Sequence, residues 1–138
     1  TRIVYVSTRD GNKEIYITYV DGSKTIRCTS NVYNDSFPSV SPDNKKIVYA
    51  SMKYGNWDIF IMDVNGKNKQ RLTKSSADDF RPVWSPDGKK ILFVTTRDGN
   101  KEIYMMNIDG TGKVNLTNHP ANDDYPVWQK IKLPDPSE

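Results

Sequence analysis

The chain is built from an internal repeat with a period of 44 residues. The segment TRDGNKEIY begins at residue 8 and returns unchanged at residue 96, and a drifted copy, MKYGNWDIF, begins at residue 52. No insertion or deletion separates the copies. A fixed period in the low forties is typical of chains made of similar units packed side by side, because each unit needs a neighbour to bury its apolar face.

Each unit predicts four short strands joined by tight turns. In the third copy, we expect Pro82 to be the first residue of the innermost strand, where a proline removes no ladder hydrogen bond. Ser-Pro-Asp-Gly at 85–88 predicts a turn, and the apolar run 90–94 predicts a strand buried on both faces. Segments 102–106 and 113–117 predict the third strand and a polar outermost strand.

Doubly buried strands, four to a unit, indicate an all-β chain of three β-propeller blades. No segment carries the 3.6-residue apolar stripe of a helical solenoid. We predict that residues 1–131 form the blades and that 132–138 form a tail. The pattern begins on the second strand of a blade, at Ile3, and ends on a first strand. We therefore expect a strand at 124–129 to complete a first blade, supplied by a partner chain.

Composition excludes several classes of partner. The net charge is only +3 and no block of Lys and Arg is present, so we expect no nucleic-acid partner. No apolar run reaches the length needed to span a membrane, so we expect no membrane insertion. The single cysteine, Cys28, is in register with Leu72 and Leu116, which predicts a core position.

The sequence offers little support for catalysis. It has no Gly-x-Ser-x-Gly elbow, no phosphate-binding glycine loop and only one histidine, His119. We therefore expect no enzyme activity, no metal site and no cofactor.

One face of the blades collects charged side chains in the repeat register. In a four-stranded meander, alternate turns lie on opposite faces, and this face carries one carboxylate and one basic side chain per blade. They are Asp35, Asp79 and Asp123, with Arg9, Lys53 and Arg97. In one interpretation they pair and hold neighbouring blades together; in the other they form a channel mouth that binds a cation or a ligand's basic group.

Two aromatic residues, Tyr54 and Trp57, depart from the repeat on the same face. They are either contact residues for a partner or ordinary surface aromatics.

The motif Asp-x-x-Pro-x-Trp-Ser-Pro-Asp-Gly at 79–88, the Arg-Asp-Gly-Asn turn at 97–100 and Leu-Thr at 116–117 resemble the TolB-like propeller repeat, a relative of the WD-type repeat. The resemblance covers residues 1 to about 130. It implies a six-bladed ring, of which this chain supplies half, and favours a periplasmic or secreted protein. Val40 departs from it, standing where the other copies carry Trp, which predicts weaker packing at that point.

The resemblance favours a non-catalytic scaffold that binds a protein or peptide. Two alternatives remain open: the propeller domain or a fragment of a larger peptidase or lyase, and a carbohydrate-binding module. Because two chains supply six blades, we also predict a homodimer in which each C-terminal strand enters the partner's first blade.

Overall fold

The computed structural model describes residues 1–130, which contain eleven strands and no helix. Residue 131, the predicted end of the blades, and the predicted tail 132–138 lie outside the described residues. The strands are β1 (Arg2–Ser7), β2 (Glu14–Tyr19), β3 (Thr25–Arg27), β4 (Asp35–Val40), β5 (Lys46–Ser51), β6 (Asp58–Asp63), β7 (Gln70–Arg71), β8 (Asp79–Trp84), β9 (Lys90–Thr95), β10 (Glu102–Asn107) and β11 (Val114–Asn115). Among these residues, nothing forms a helix that would be suited to crossing a membrane.

The strands form three antiparallel sheets that follow one another along the chain. Blade 1 has the order β1-β2-β3, blade 2 has β4-β5-β6-β7, and blade 3 has β8-β9-β10-β11. These are the four-stranded meanders predicted from the repeat, except that blade 1 lacks an innermost strand. The predicted all-β architecture of propeller blades is confirmed.

The innermost strands differ from the prediction at their proline. Strand β8 begins at Asp79, so Pro82 lies inside the strand and the expectation that it comes first is wrong. The register between β8 and β9 shifts between Phe80 and Val83, and Arg81 has a φ of 50°. The proline is tolerated because this β-bulge interrupts the ladder where its missing N–H would otherwise be needed.

The second strand of blade 2, β5, packs on both of its faces. In β5, Ile47 and Tyr49 join an apolar cluster shared with blade 1, whereas Val48 and Ala50 join one shared with blade 3. The core of the molecule therefore consists of the two blade junctions. Cys28 is buried in the first of them.

Glycine turns bring the blades into close contact at each junction. Gly110, in the β10–β11 turn, has a φ of +86°, and a Cβ there would lie 2.5 Å from the carbonyl oxygen of Leu72 in the previous blade. Gly66 makes the same approach to the carbonyl oxygen of Cys28. Only glycine permits both the backbone conformation and this proximity.

Candidate functional site

The junction between blades 2 and 3 contains an ion pair between an aspartate and an arginine of the predicted charged face. Asp79 is fully buried at the start of β8, and Arg97 Nη2 donates to both of its oxygens, over 3.1 and 3.2 Å. Arg97 Nε is held by Thr95 Oγ1 at 3.0 Å. The sequence placed Asp79 and Arg97 on one face, and the structure brings them into contact.

The equivalent junction between blades 1 and 2 lacks this arginine. Asp35 is as buried as Asp79, but the residue in register with Arg97 is Lys53, which is exposed and makes no ion pair among the described residues. Asn31 donates to Asp35 Oδ2 over 2.7 Å, and Asp35 Oδ1 has no hydrogen-bond partner in the described part of the chain.

A second series of buried acids, not singled out from the sequence, lies beside the first. Glu14, Asp58 and Glu102 begin β2, β6 and β10, which are equivalent strands in the 44-residue register, and that register is the signal that was available. Glu14 accepts from the backbone N–H of Asn31 over 2.8 Å, so this carboxylate anchors the link between two blades.

The two junctions differ in their balance of buried charge. At the junction of blades 2 and 3, Asp58 pairs with Arg71 over 2.7 Å and Asp79 pairs with Arg97. At the junction of blades 1 and 2, Arg27 reaches Glu14 over 3.4 Å, Glu14 Oε2 has no partner, and Asp35 has no cation. The junction of blades 1 and 2 therefore has one cation fewer than the junction of blades 2 and 3.

Two groups at the junction of blades 1 and 2, Asp35 and Tyr49, have raised pKa values. Burial raises the pKa of Asp35, and the nearby charge of Glu14 adds to the effect. Ser51 and Thr29 lower the pKa in part, but neither hydroxyl makes a hydrogen bond of ordinary geometry with Oδ1. Burial, followed by the charges of Asp35 and Glu14, raises the pKa of Tyr49.

A cleft of about 640 Å³ opens along the junction of blades 1 and 2 and is lined by Asp35, Tyr49, Tyr54 and Lys53, among others. A cleft of about 550 Å³ at the next junction does not include Asp79, whose carboxylate is covered by Arg97. We call the first of these the Asp35 cleft. Further lysines in its lining, at 67 and 69, give its walls a positive charge.

At Tyr54, blade 2 replaces a hydrogen bond of the other two blades with a stack of aromatic rings. In blades 1 and 3, a tyrosine hydroxyl on β2 or β10 donates to an aspartate in the preceding loop, as Tyr104 does to Asp98 over 2.6 Å. Blade 2 has Phe60 and Tyr54 at these two positions, and their rings stack with centroids 6.4 Å apart. The Arg71 guanidinium lies 4.0 Å from the centre of the Tyr54 ring. This stack forms one wall of the Asp35 cleft.

Trp57 is half-buried and packs against Phe37, with ring centroids 5.5 Å apart. Phe37 occupies the bulge position of β4, and Arg81 is its counterpart in β8. The Arg81 guanidinium lies 3.9 Å from the centre of the Tyr125 ring and pairs with Asp124 over 2.7 Å. The sequence did not reveal this group, because the bulge position is a variable one in the repeat.

The remaining predicted residues, Asp123 and Arg9, lie near the two ends of the described chain. Asp123 is half-buried, and its N–H donates to the carbonyl oxygen of Lys101 over 2.8 Å. Arg9 is exposed, and its guanidinium lies 4.5 Å from the centre of the Tyr16 ring. The structure does not bring these two residues together within one chain.

The arrangement at the Asp35 cleft suits binding. It combines a buried carboxylate oxygen, which has no hydrogen-bond partner among the described residues, with aromatic walls and lysines. Residues 1–130 contain no group of three or more His, Cys, Asp or Glu side chains placed to hold a metal ion.

Solved structures less than 25% identical to this chain share its fold, and enzymes are among them. One is dipeptidyl peptidase 4 of Porphyromonas gingivalis, with a TM-score of 0.67 and 17% identity over 83% of this chain and 16% of the other.

More similar proteins carry the name TolB. The structure of putative TolB from Agrobacterium tumefaciens superposes with a TM-score of 0.77 and 26% identity, covering 83% of this chain and 44% of that one. TolB from Acinetobacter baumannii gives 0.75 and 29%, covering 84% and 29%. A TolB homolog of Chlorobaculum tepidum is 46% identical over 43 residues, or 31% of this chain and 10% of the relative. The chain thus spans less than half the length of each of these proteins.

The family model of the TolB beta propeller domain matches residues 1–94. With blades, register and solved relatives in agreement, the chain belongs to the TolB beta propeller domain family.

Proposed function

We propose that the chain is a non-catalytic scaffold that binds a peptide or a peptide segment of a protein, with the Asp35 cleft as its recognition site. The observation that carries this proposal is the unpartnered Oδ1 of Asp35, in a junction one cation short of its internal counterpart. A buried carboxylate without a cation is costly, so a ligand that supplies one is favoured.

The ion pair at the junction of blades 2 and 3 indicates which ligand would suit the Asp35 cleft. At the next junction, a guanidinium meets the equivalent carboxylate through two hydrogen bonds and lies over the ring of Tyr104, 4.8 Å from its centre. An arginine side chain of a peptide would find Asp35 and the ring of Phe60, the counterpart of Tyr104, in the same relation. Arginine suits the site better than lysine because its planar guanidinium bonds a carboxylate in a bidentate manner and stacks on aromatic rings.

The walls of the cleft select the residues beside that arginine. Lys53, Lys67 and Lys69 favour flanking carboxylates, because opposite charges across an interface attract. The preferred ligand is therefore an arginine with acidic neighbours.

A peptide pair tests this proposal. Acetyl-Glu-Arg-Glu-amide and its citrulline counterpart have the same shape, but citrulline carries no charge. Since a hydrogen bond to a charged group contributes about 1.5–3 kcal/mol, calorimetry should show the arginine peptide binding roughly ten- to a hundred-fold more tightly.

The substitution Lys53→Arg provides the second arm of the test. It supplies the missing guanidinium from within the chain and should abolish binding, whereas Lys89→Arg, in an exposed turn of blade 3, should leave binding unchanged. Equal binding of the two peptides, or full binding by the Lys53→Arg variant, would contradict the proposal.

The second candidate function is that of a propeller domain within a larger enzyme. The similarity to peptidase structures, which share the fold, favours it. The two candidates make different predictions for the complete gene: a catalytic domain encoded beside the blades would support the second, and further blades alone would support the first.

A further inference from the structure

Three exposed apolar side chains lie at the mouth of the Asp35 cleft. Val32 is 85% exposed, Tyr54 is 52% exposed and Tyr33 is 39% exposed. Tyr33 and Tyr54 line the cleft itself, and Val32 precedes Tyr33 in the link between blades 1 and 2. Single exposed apolar residues are ordinary on a protein surface, whereas a group of them at one cleft marks a contact surface.

The repeat shows that this apolar group is particular to one junction. The residues in register at the junction of blades 2 and 3 are Ser76, Ala77 and Asp98, which are small or polar. At that junction the buried aspartate already has its arginine. The apolar group therefore occurs at the junction whose aspartate has no cation among the described residues, and these two separate departures from the repeat point to a ligand at the same place.

The exposure of these side chains follows from their positions in the repeat. Blade 2 packs between blades 1 and 3, and Tyr54 belongs to it. The link that leaves blade 2 carries Ser76 and Ala77 in the positions of Val32 and Tyr33, and Ser76 is exposed and Ala77 partly exposed as well. A blade on each side therefore does not cover these positions.

Tyr54 covers blade 2 with one face of its ring. Phe60 and Arg71 are register partners on β6 and β7, so they project from the same side of blade 2, the side that packs on blade 1. The Tyr54 ring lies over both, with the Phe60 centroid at 6.4 Å and the Arg71 guanidinium at 4.0 Å. The other face of the ring is left to the cleft, beside the exposed Lys53.

Tyr33 lines the cleft from the link after blade 1, on a backbone that is held on both sides. Its N–H donates to Asn31 Oδ1 over 2.8 Å, and its carbonyl oxygen accepts from the Asn12 amide. The carbonyl oxygen of Ala77 accepts from Asn56 over 2.7 Å in the same way, so the repeat fixes this backbone at both junctions. A ring carried on an ordered backbone binds a ligand at a lower cost in entropy.

We propose that Tyr33 and Tyr54 form a subsite for an aromatic side chain, so that the partner of the Asp35 cleft is a peptide segment in which an aromatic residue adjoins the arginine. This inference rests on the proposed function, because the arginine on Asp35 is what places its neighbour at the two tyrosines. A second cation is disfavoured there, since Arg71 and Lys53 already lie beside the Tyr54 ring. An aromatic ring carries no charge and stacks on tyrosine.

Three peptides test this subsite by calorimetry. They are acetyl-Glu-Phe-Arg-Phe-Glu-amide, a counterpart with serine in place of both phenylalanines, and a counterpart with citrulline in place of arginine. Phenylalanine on both sides of the arginine makes the comparison independent of the direction in which the peptide lies. The wild-type chain should bind the phenylalanine peptide at least about three-fold more tightly than the serine peptide, since one pair of rings alone contributes roughly two- to ten-fold.

Substitutions in the cleft test which residues form the subsite. Tyr33→Ala installs the residue that the next junction carries at Ala77, so the fold accommodates it. This variant should show a smaller preference for the phenylalanine peptide, and adding Tyr54→Ser should abolish the preference. Ile108→Ala is the matched control: Ile108 is 43% exposed in the β10–β11 turn of blade 3, and this variant should keep the preference.

The results separate this inference from the proposed function. Equal binding of the phenylalanine and serine peptides by the wild type, or a preference that the double variant retains, would overturn the aromatic subsite. The proposed function would stand in that case if the citrulline peptide still bound more weakly than the arginine peptide. Equal binding of the arginine and citrulline peptides, or no binding of any peptide, would overturn both.

Discussion

Lys53→Arg should stabilise the protein by completing the first blade junction. In the second junction, the Arg97 guanidinium meets Asp79 at 3.1 and 3.2 Å and is held by the Thr95 hydroxyl. Blade 2 has Ser51 in the place of Thr95, and the N–H of residue 53 already contacts its hydroxyl over 3.3 Å, as the N–H of Arg97 contacts that of Thr95. The backbone is therefore placed to direct the longer side chain toward Asp35.

The expected gain follows from the one unpartnered oxygen. A hydrogen bond to a charged group contributes about 1.5–3 kcal/mol. Ordering a long side chain costs about 1–2 kcal/mol. The net gain in the free energy of unfolding is therefore about 1 kcal/mol, or roughly 4 °C in Tm for a domain of this size.

The gain should also depend on pH, because the pKa of Asp35 is raised above 3.8. Native wild-type protein holds a proton that the unfolded chain releases, so the wild type loses stability as pH rises from 3.8 through the raised pKa. The introduced guanidinium lowers this pKa and removes the loss. The extra stability of the Lys53→Arg variant should be complete above the raised pKa of Asp35 and should shrink as pH falls toward 3.8.

Urea unfolding at fixed protein concentration, at neutral pH and near pH 4, measures both effects, since a change in midpoint at constant slope reports stability. Lys89→Arg serves as the control for exchanging lysine and arginine on the surface. No gain beyond that control, or a gain that does not depend on pH, would refute the reasoning about Asp35.

Two further predictions concern a turn and a core position of the blades. Gly110→Ala should lower the free energy of unfolding by at least about 2 kcal/mol, because its Cβ would lie 2.5 Å from a carbonyl oxygen of the neighbouring blade. Gly99→Ala, with open space around it, should lower it by about 1 kcal/mol. Equal losses for the two variants in urea unfolding would show that the contact is absent. Burial raises the pKa of Cys28, so its thiol should react with Ellman's reagent far more slowly in the folded protein than in urea, and equal rates would contradict its core position.

The repeat predicted the strands well because its period and apolar runs are local properties of the chain. The predicted strands 90–94 and 102–106 are confirmed within a residue at their ends by β9 and β10. The outermost strand, predicted at 113–117, pairs only at Val114–Asn115, since an edge strand has neighbours on one side alone. The bulge around Pro82 was missed because a backbone with positive φ at a non-glycine residue leaves no compositional signal.

The candidate site was predictable only in part. The register placed Asp35 with Lys53 and Asp79 with Arg97, but it could not show that only the arginine reaches its carboxylate. That difference depends on the length and geometry of two side chains in a folded junction. Of the exchange at Tyr54 and Phe60, the sequence analysis identified only Tyr54 as a departure from the repeat, and the structure shows that Phe60 stacks on it.

A carbon-13 NMR titration of the Asp35 carboxyl tests the central claim most directly. If Asp35 is the unpartnered acid of a junction that lacks a cation, its pKa in the free protein lies above 3.8 and falls when acetyl-Glu-Arg-Glu-amide is added. A pKa at or below 3.8 in the free protein would show that the carboxylate already has its partner, and would contradict the account.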